Sequence, residues 1–435
     1  MGDNSMAQIV KSGNPLQGTV TVPGDKSISH RAVLLGALAH GATEVRGWLA
    51  AGDTEATLSA IQALGIQVDR HDENTLTIHG GEFQEPDEPL NLANAGTGFR
   101  LLAGMLVGQS FPCVLDGSEQ LRQRPMKRII APLQTMQAYI QGKKDHAPLK
   151  IQPSKLRGIQ YIMPVASGQV KSAVLLAGLF AKGATSVVQP GPARDHTERM
   201  LVSMGADIVV NGNRVILAPN GELRPMNLTV PGDFSSAAFL IVAALIIPDS
   251  EINITHINLN PTRTGLLGVL QAMGADITVT ETGTEAGEPV GDIQVRYSQL
   301  GGVQVGGDTV VRMIDEFPAL MVAALCAEGE TVVRDARELR VKETDRLAVM
   351  TAELRKMGAE IAETNDGFCI VGPQKLNGVL VDGHDDHRVA MSLMIAGLVA
   401  DGETKVTDAQ CADDSFPGFV ETLAGLGAEF IGGKG

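Results

Sequence analysis

The sequence predicts an α/β protein of two halves, each a run of three similar repeats. Two recurring signatures and one long-range match predict it. The first signature is a helix end in Leu or Met, then Gly and Ala or Ile, then a short strand: Leu64-Gly-Ile-Gln-Val, Met204-Gly-Ala-Asp-Ile, Met273-Gly-Ala-Asp-Ile, Met357-Gly-Ala-Glu-Ile and Leu426-Gly-Ala-Glu-Phe. Its glycines are 140, 69, 84 and 69 residues apart, and a degraded copy, Met136-Gln-Ala-Tyr-Ile, divides the first gap, so the period is near 70. The second signature runs in phase with it, an apolar helix, a Gly turn and a strand, as in Leu38-Ala-His-Gly-Ala-Thr-Glu-Val and Phe180-Ala-Lys-Gly-Ala-Thr-Ser-Val. It returns at Ala327-Glu-Gly-Glu-Thr-Val-Val and Val399-Ala-Asp-Gly-Glu-Thr-Lys-Val, with weaker copies at 106–114 and 245–252. A supersecondary unit recurring at fixed spacing indicates a stacked or symmetric architecture rather than one large sheet. The long-range match is Val22-Pro-Gly-Asp-Lys-Ser against Val230-Pro-Gly-Asp-Phe-Ser, 208 residues or three repeats apart.

Each repeat reads as a loop, a buried helix, a strand, an amphipathic helix and two strands, with Gly providing the left-handed turn after the helix. The halves are expected at 24–230 and at 231–435, the second taking back the N-terminal strand and with it residues 1–23. Pro and Gly mark hinges near 14–24 and 226–233. In the first repeat a strand-like segment (18–22) is broken by Pro23-Gly24. Capping-type Asp25, Ser27 and Ser29 follow, then an apolar run (32–39) that reads as a helix.

A chain of 435 residues can bury two or three cores. Its formal charge of −15 excludes nucleic acid and anionic membrane as partners, which need a positive face, but leaves room for a small anion held by local cations. The four cysteines (113, 326, 369, 411) are far apart, with no C-x-x-C pair, and fit reduced thiols better than disulfides or zinc. Met1-Gly-Asp-Asn-Ser-Met6 has no signal-peptide character, and the apolar runs at 237–247 and 390–400 are too short to span a bilayer. A cytoplasmic protein is expected.

Chemistry collects in the loops before the six buried helices: Lys26/Ser27/Arg31, Asn94-Ala-Gly96-Thr97-Gly-Phe-Arg100, Ser167-Gly-Gln169-Val-Lys171, Gly232-Asp-Phe-Ser-Ser236, Asp315-Glu-Phe-Pro318 and Asp385-Asp-His-Arg388. If the repeats are equivalent, these helix starts face the cleft between the halves, where their N–H groups and dipoles favour a multiply anionic ligand. Each charge-assisted hydrogen bond to phosphate or carboxylate adds roughly 1.5–3 kcal/mol. Three further runs carry charge. Arg122-Gln-Arg124-Pro-Met-Lys-Arg128 is densely basic, and its Arg124-Pro125 reads as a helix start. Arg194-Asp-His-Thr-Glu198 precedes a helix. In Leu339-Arg-Val-Lys342-Glu343-Thr-Asp-Arg346, Lys342 and Arg346 share one face if helical, and a Lys beside a Glu is what acid–base work needs. A surface i,i+4 charge network is the usual explanation of such a run. His384-x-x-His387 lacks a third metal partner at helical spacing, and none of the cysteines lies in a helix-start loop.

Pro23-Gly-Asp-Lys26-Ser27-x-x-x-Arg31, Asn94-Ala-Gly96-Thr97, Arg124-Pro, Ser167-x-Gln169, Asp315-Glu, Val341-Lys342-Glu343-x-x-Arg346, Asp386-His-Arg388 and the late Phe416-Pro417 together resemble the 5-enolpyruvylshikimate-3-phosphate synthases, in family order over nearly the whole chain. The 194–198 and 312–318 runs are more similar to the bacterial class II branch. The resemblance implies a two-domain inside-out α/β barrel, the enolpyruvyl transferase fold, with six βαβαββ-type repeats, three per domain. It implies transfer of the enolpyruvyl group of phosphoenolpyruvate to the 5-hydroxyl of shikimate 3-phosphate, with release of phosphate, on the route to chorismate and aromatic amino acids. A monomer that needs no cofactor or metal is expected.

By position, Ser27 and Arg31 would hold the shikimate carboxylate, and Ser167, Gln169 and Arg194 the region of its phosphate. Lys26, Gly96, Arg124, Gln169, Arg346 and Arg388 would hold phosphoenolpyruvate. Asp315 would accept the 5-hydroxyl proton, and Lys342 and Glu343 would handle protons at the bridging oxygen and methylene carbon. Lys26, Asp315 and Lys342 would also touch shikimate 3-phosphate, and Lys26 counts among the catalytic groups. Where many class I members have Lys two residues before Phe-Pro, this chain has Asp414, and Gly96 lacks the methyl group found in some glyphosate-tolerant relatives. The sister family that uses UDP-N-acetylglucosamine needs a Cys five residues before Arg-Pro, and Glu119 stands there. A non-catalytic anion-binding protein of the same fold would not need Asp315, Lys342 and Glu343 together.

Overall fold

In the computed structural model, residues 7–219 and 221–431 are described; the opening Met1–Met6 stretch lies outside them. By its contacts the chain forms two compact units. One, here the Lys26 unit, is Gly24–Pro231 with Thr284–Glu288; the other, the Asp315 unit, takes the chain up to Pro23, Gly232–Gly283 and everything from Pro289 on.

Among the described residues each unit has three four-stranded sheets and three buried helices. In the Lys26 unit the helices are Lys26–Leu38, Gly96–Leu106 and Gly168–Gly178, and in the Asp315 unit Phe234–Ile246, Phe317–Cys326 and His387–Gly397. Their composition dictates the placement. Phe234–Ile246 is apolar almost all round and every one of its residues is buried, as expected for a helix with no solvent face. Within each unit the three helices pack on one another. The strands instead alternate, as in His146–Gln152, where Ala147, Leu149 and Ile151 are buried and the residues between them are not. Helices are therefore inside and sheets outside. Five sheets repeat one order, a short edge strand parallel to its neighbour and then two antiparallel pairings, and the sixth has the same parallel edge strand followed by an antiparallel pairing.

The helix-ending glycines have the predicted left-handed backbone, with φ of +85° at Gly65, +88° at Gly205, +93° at Gly274, +95° at Gly358 and +118° at Gly427. Gln137, in the degraded copy, has the same conformation with φ +71°. The sixth repeat is thus geometrically complete although its glycine is missing.

The two Val-Pro-Gly-Asp stretches are where the chain changes unit. Gln17–Val20 leads into the Lys26 helix, yet pairs in parallel with Glu251–Asn258 in the Asp315 unit. Leu228–Thr229 leads toward the Phe234 helix, yet pairs in parallel with Gly41–Arg46 in the Lys26 unit. Gln8–Lys11 supplies the inner strand of the last sheet, antiparallel to Glu403–Thr407 and Glu429–Ile431. At the crossings Asp25 N donates to Pro231 O (2.8 Å) and Asp233 N donates to Pro23 O (2.9 Å). A Cβ on Gly24 would lie 2.0 Å from Gly47 O, so no larger residue fits there.

His30 sits fully buried in the Lys26 helix. Thr57 gives its hydroxyl proton to Asp53 O and accepts from His30 Nδ1 (2.9 Å). His30 Nε2 is buried without a hydrogen-bond partner. Protonation there would place an unsolvated charge in the core, and burial lowers the His30 pKa to about 3.

Two predictions follow from these features. Replacing Gln137 by Gly removes a left-handed non-glycine residue from an exposed turn, and is expected to raise unfolding stability by about 0.5–1 kcal/mol in urea titration. Unfolded His30 takes its proton near pH 6.5 and native His30 only near 3, so stability falls as pH drops through that window. The wild type should lose about 2 kcal/mol between pH 8 and pH 5 on account of this group. Urea titrations of His30→Gln at the two pH values should show that loss removed.

Candidate active site

The helix starts are not equivalent. Asp25, Ser167, Asp233 and Asp386 cap their own helices by accepting from the N–H of Ile28, Val170, Ser235 and Arg388. Ala95 and Glu316, before the Gly96 and Phe317 helices, provide no side-chain cap.

In the Lys26 unit the predicted residues fall into three groups. Lys26 Nζ pairs with Asp53 Oδ2 at 2.7 Å. Ser27 and Arg31 sit one turn apart, and Arg31 is 3% exposed. Its guanidinium donates to Ser27 O (2.9 Å), Thr197 Oγ1 (2.8 Å) and Ser172 Oγ (2.9 Å). Burial draws its pKa down to about 10, with Glu198 and Asp25 opposing, so it remains a cation at neutral pH. The second group surrounds Gly96. A Cβ there would lie 2.8 Å from Arg124 Nη1 and 3.2 Å from Arg100 Nη1. Arg100 donates to Gln169 Oε1 (2.6 Å), and Gln169 Nε2 donates to Thr97 Oγ1 (2.8 Å). The third is the Ser167 start, where Gly168 packs against the backbone of Arg194. The 194–198 run is held below by Lys171, whose buried Nζ meets Glu198 Oε1 (2.7 Å), Gln189 Oε1 (3.0 Å) and Ala193 O (3.1 Å).

Arg124 departs from expectation. It closes the short helix Glu119–Gln123 in extended conformation, and the next helix starts only at Lys127. Pro125 cannot donate a backbone hydrogen bond and restricts the residue before it to extended backbone, which separates the two helices.

In the Asp315 unit the remaining five residues form one charge cluster. Asp315 Oδ1 lies 3.3 Å from Lys342 Nζ, 3.3 Å from Arg346 Nη1 and 4.0 Å from Arg388 Nε. Arg346 Nη2 reaches Glu343 Oε2 at 2.6 Å. Its Nε and Nη2 also donate to the two oxygens of Asp386, at 2.9 and 3.1 Å. Burial opposes the charge on Arg346, but Asp386, Glu343 and Asp315 outweigh it and raise its pKa. Burial likewise opposes charge on Asp386, and Arg346 overcomes it and lowers the carboxyl pKa.

Here too local structure differs from the spacing argument. Arg337–Val341 is a 3-10 turn, Lys342 is extended, and the helix begins only at Arg346. Lys342 and Arg346 thus converge on Asp315 without sharing a helix face.

Several contributors were not singled out from sequence. A hydroxyl inside an apolar helix must find a partner, which is a signal for Ser172; Thr197 is marked only as part of the charged 194–198 run, and nothing local marks Asp53. Among the described residues no group of three or more His, Cys, Asp or Glu is arranged to hold a metal ion, and His384 instead bonds to Glu353 Oε1 (2.8 Å). No described helix is long and apolar enough to cross a membrane.

Comparison with known proteins bears on this geometry. The family model for EPSP synthase (3-phosphoshikimate 1-carboxyvinyltransferase) matches residues 10–423. The 3-phosphoshikimate 1-carboxyvinyltransferase of Geobacter sp. (strain M21) is 50% identical over 422 residues, covering 96% of this chain and 98% of that protein. The protein of that name from Salinibacter ruber is 49% identical over 428 residues, 96% and 99% of the two chains. Among solved structures, EPSP synthase from Acinetobacter baumannii superposes with a TM-score of 0.89 at 42% identity, covering 99% of this chain and all of the other. The enolpyruvyl transferase NikO from Streptomyces tendae gives 0.81 at 18% identity over 99% of this chain and all of its own, a likeness of fold. With a family match over residues 10–423 and 50% identity to such a relative over 422 residues, the chain belongs to the EPSP synthase family.

Proposed function

We propose that the chain transfers the enolpyruvyl group of phosphoenolpyruvate to the 5-hydroxyl of shikimate 3-phosphate and releases phosphate. The observation that carries this reading, beyond family membership, is the setting of Asp315. Its carboxylate faces Lys342, Arg346 and Arg388, with Glu343 on the far edge of Arg346. Binding an anion requires the cations but not the carboxylates; an addition–elimination requires both.

In this reading Asp315 takes the 5-hydroxyl proton as the oxygen bonds to C2 of phosphoenolpyruvate. Lys342 and Glu343 serve as proton donor and acceptor at the bridging oxygen and the methylene carbon. That carbon gains a proton in the addition and loses one in the elimination, when the C2–O bond to phosphate breaks. Arg346 and Arg388 hold phosphoenolpyruvate and balance the charge developing on the leaving phosphate. In the Lys26 unit, the residues assigned to phosphoenolpyruvate are Lys26, Gly96, Arg124 and Gln169. Ser27 and Arg31 take the shikimate carboxylate, and Ser167, Gln169 and Arg194 its phosphate region. Lys26, Asp315 and Lys342 touch shikimate 3-phosphate as well. Arg31 suits a carboxylate because its direct partners are two hydroxyls and a carbonyl, so its charge is not cancelled by a bonded acid.

The same reading makes the protein a cytoplasmic monomer working on small anions without a cofactor, in keeping with its net charge of −15 and its unpaired thiols. Glu119, in the first turn of its helix, provides no thiol for the UDP-N-acetylglucosamine reaction.

Phosphate release from phosphoenolpyruvate tests the function. It should occur with shikimate 3-phosphate and not with UDP-N-acetylglucosamine, and silence with both acceptors despite tight shikimate 3-phosphate binding would leave only a binding protein. Asp315→Asn and Glu343→Gln are each expected to lower turnover by roughly 10²–10⁴ with substrate binding largely kept; near wild-type turnover in either would remove that residue from its role.

A further inference from the structure

Glu353 is a carboxylate 2% exposed, on the helix Arg346–Lys356 that starts with Arg346. Seven residues separate the two, about two turns, so both project from one face. Both grip the same loop. Arg346 binds Asp386 through two hydrogen bonds. Glu353 Oε2 accepts from Asp382 N (3.1 Å), at the end of strand Leu380–Asp382, and Oε1 meets His384 Nε2 (2.8 Å). Lys356 reaches both carboxylate oxygens from the solvent side, at 2.8 and 2.7 Å.

That loop needs support. His384 and Asp385 are consecutive non-glycine residues in the left-handed region, with φ of 54° and 52°. Each such residue costs roughly 1–2 kcal/mol, which surrounding contacts must offset. Gly383 is packed so closely that a Cβ would come within 2.9 Å of Ala390 Cβ and 3.0 Å of Thr407 O. Directly after the strained pair come Asp386, which caps the helix His387–Gly397, and Arg388 on that helix's first turn. Burial disfavours the Glu353 charge, yet His384, Lys356 and the Asp382 N–H outweigh it and hold the carboxyl below its ordinary range.

We propose that Glu353, acting through His384 and Asp382, is a positioning residue that holds the 382–386 loop so that Arg388 and the Arg346–Asp386 pair stand correctly for phosphoenolpyruvate. Its effect is on that substrate and not on shikimate 3-phosphate. The inference rests on the functional reading above.

His384 is the cleaner probe, being 38% exposed at its side chain. Ala and Gln both keep a Cβ in the left-handed region, so strain is common to the two variants, and only Gln retains a group that can reach Glu353. His384→Ala should raise the KM for phosphoenolpyruvate about tenfold, with kcat within threefold and the KM for shikimate 3-phosphate unchanged. His384→Gln should restore most of the difference. Glu353→Ala should show the same split more strongly. Glu353→Gln should stay near wild type, since a neutral imidazole can turn its other tautomer toward the amide. A phosphoenolpyruvate KM within twofold of wild type in His384→Ala overturns the proposal, as does an equal rise in both KM values. A wild-type chain that releases no phosphate overturns the functional reading and this inference with it, whereas an active wild type with insensitive variants overturns the inference alone.

Discussion

Two backbone hydrogen bonds, Asp25 N to Pro231 O and Asp233 N to Pro23 O, hold the points where the chain passes from one unit to the other. Much else depends on them. Each unit takes an edge strand from the stretch leading to the other unit's helix, and the Asp315 unit, which pairs Gln17–Val20 with Glu251–Asn258, has its full set of sheets only once both passages are made. The aspartates that donate these N–H groups also cap the Lys26 and Phe234 helices with their side chains. One short motif therefore sets a strand end, a change of unit and a helix start within five residues. Its glycine is obligatory on one side because Gly47 O occupies the space of a Cβ, and its proline fixes φ where the strand must stop. The two copies 208 residues apart are alike because both satisfy these constraints.

The second constraint is charge. The protein is strongly acidic, yet it buries Arg31, Arg263, Arg346 and Lys171 almost completely. Desolvating a guanidinium costs several kcal/mol unless partners compensate, and the compensation differs with the task. Arg263 is tied to Asp233, and Lys171 to Glu198, pairs whose role is to hold helix starts and the 194–198 loop. Arg31 is instead held directly by two hydroxyls and a carbonyl. Arg346 sits among three carboxylates, with Lys342 and Arg388 near the same Asp315. Three acids and three bases nearly balance there. In the function proposed above, an anionic substrate would meet cations already oriented by those acids, the preorganisation that an addition–elimination needs.

Much of this was legible because it is local. The repeat could be read from glycines, since a left-handed helix end nearly demands one, and the buried helices from apolar runs. The copy at Gln137 shows the limit: the backbone conformation is kept while its residue signal is lost. Lys342 and Arg346 show another. Their spacing matched a helix, but the chain between them is a bend after a 3-10 turn, and Asp315 brings them together from 27 and 31 residues away. Arg124-Pro125 reads as a helix start, but proline favours extended backbone in the residue before it, and Arg124 is extended. Thr197, 166 residues from Arg31, could not be found by periodicity, because no local pattern reports what a distant loop presents.

The helix starts give the same lesson in a form that bears on function. Read as six equal repeats, they suggested six positive dipole ends available to anions. Four instead have a side-chain oxygen of their own on an N–H group of the first turn, which takes one donor out of use and, at three of them, adds a negative charge. Proline at the start of the Phe317 helix removes another donor. The Gly96 start is different. It has no side-chain cap, its first residue has no Cβ, and Arg100 and Arg124 stand within contact of the space that a Cβ would fill. Helix dipoles alone therefore do not account for an anion site in this fold. Most of the attraction for any anion must come from side-chain cations, and at the Gly96 start an uncapped dipole end, open backbone and two guanidinium groups stand together.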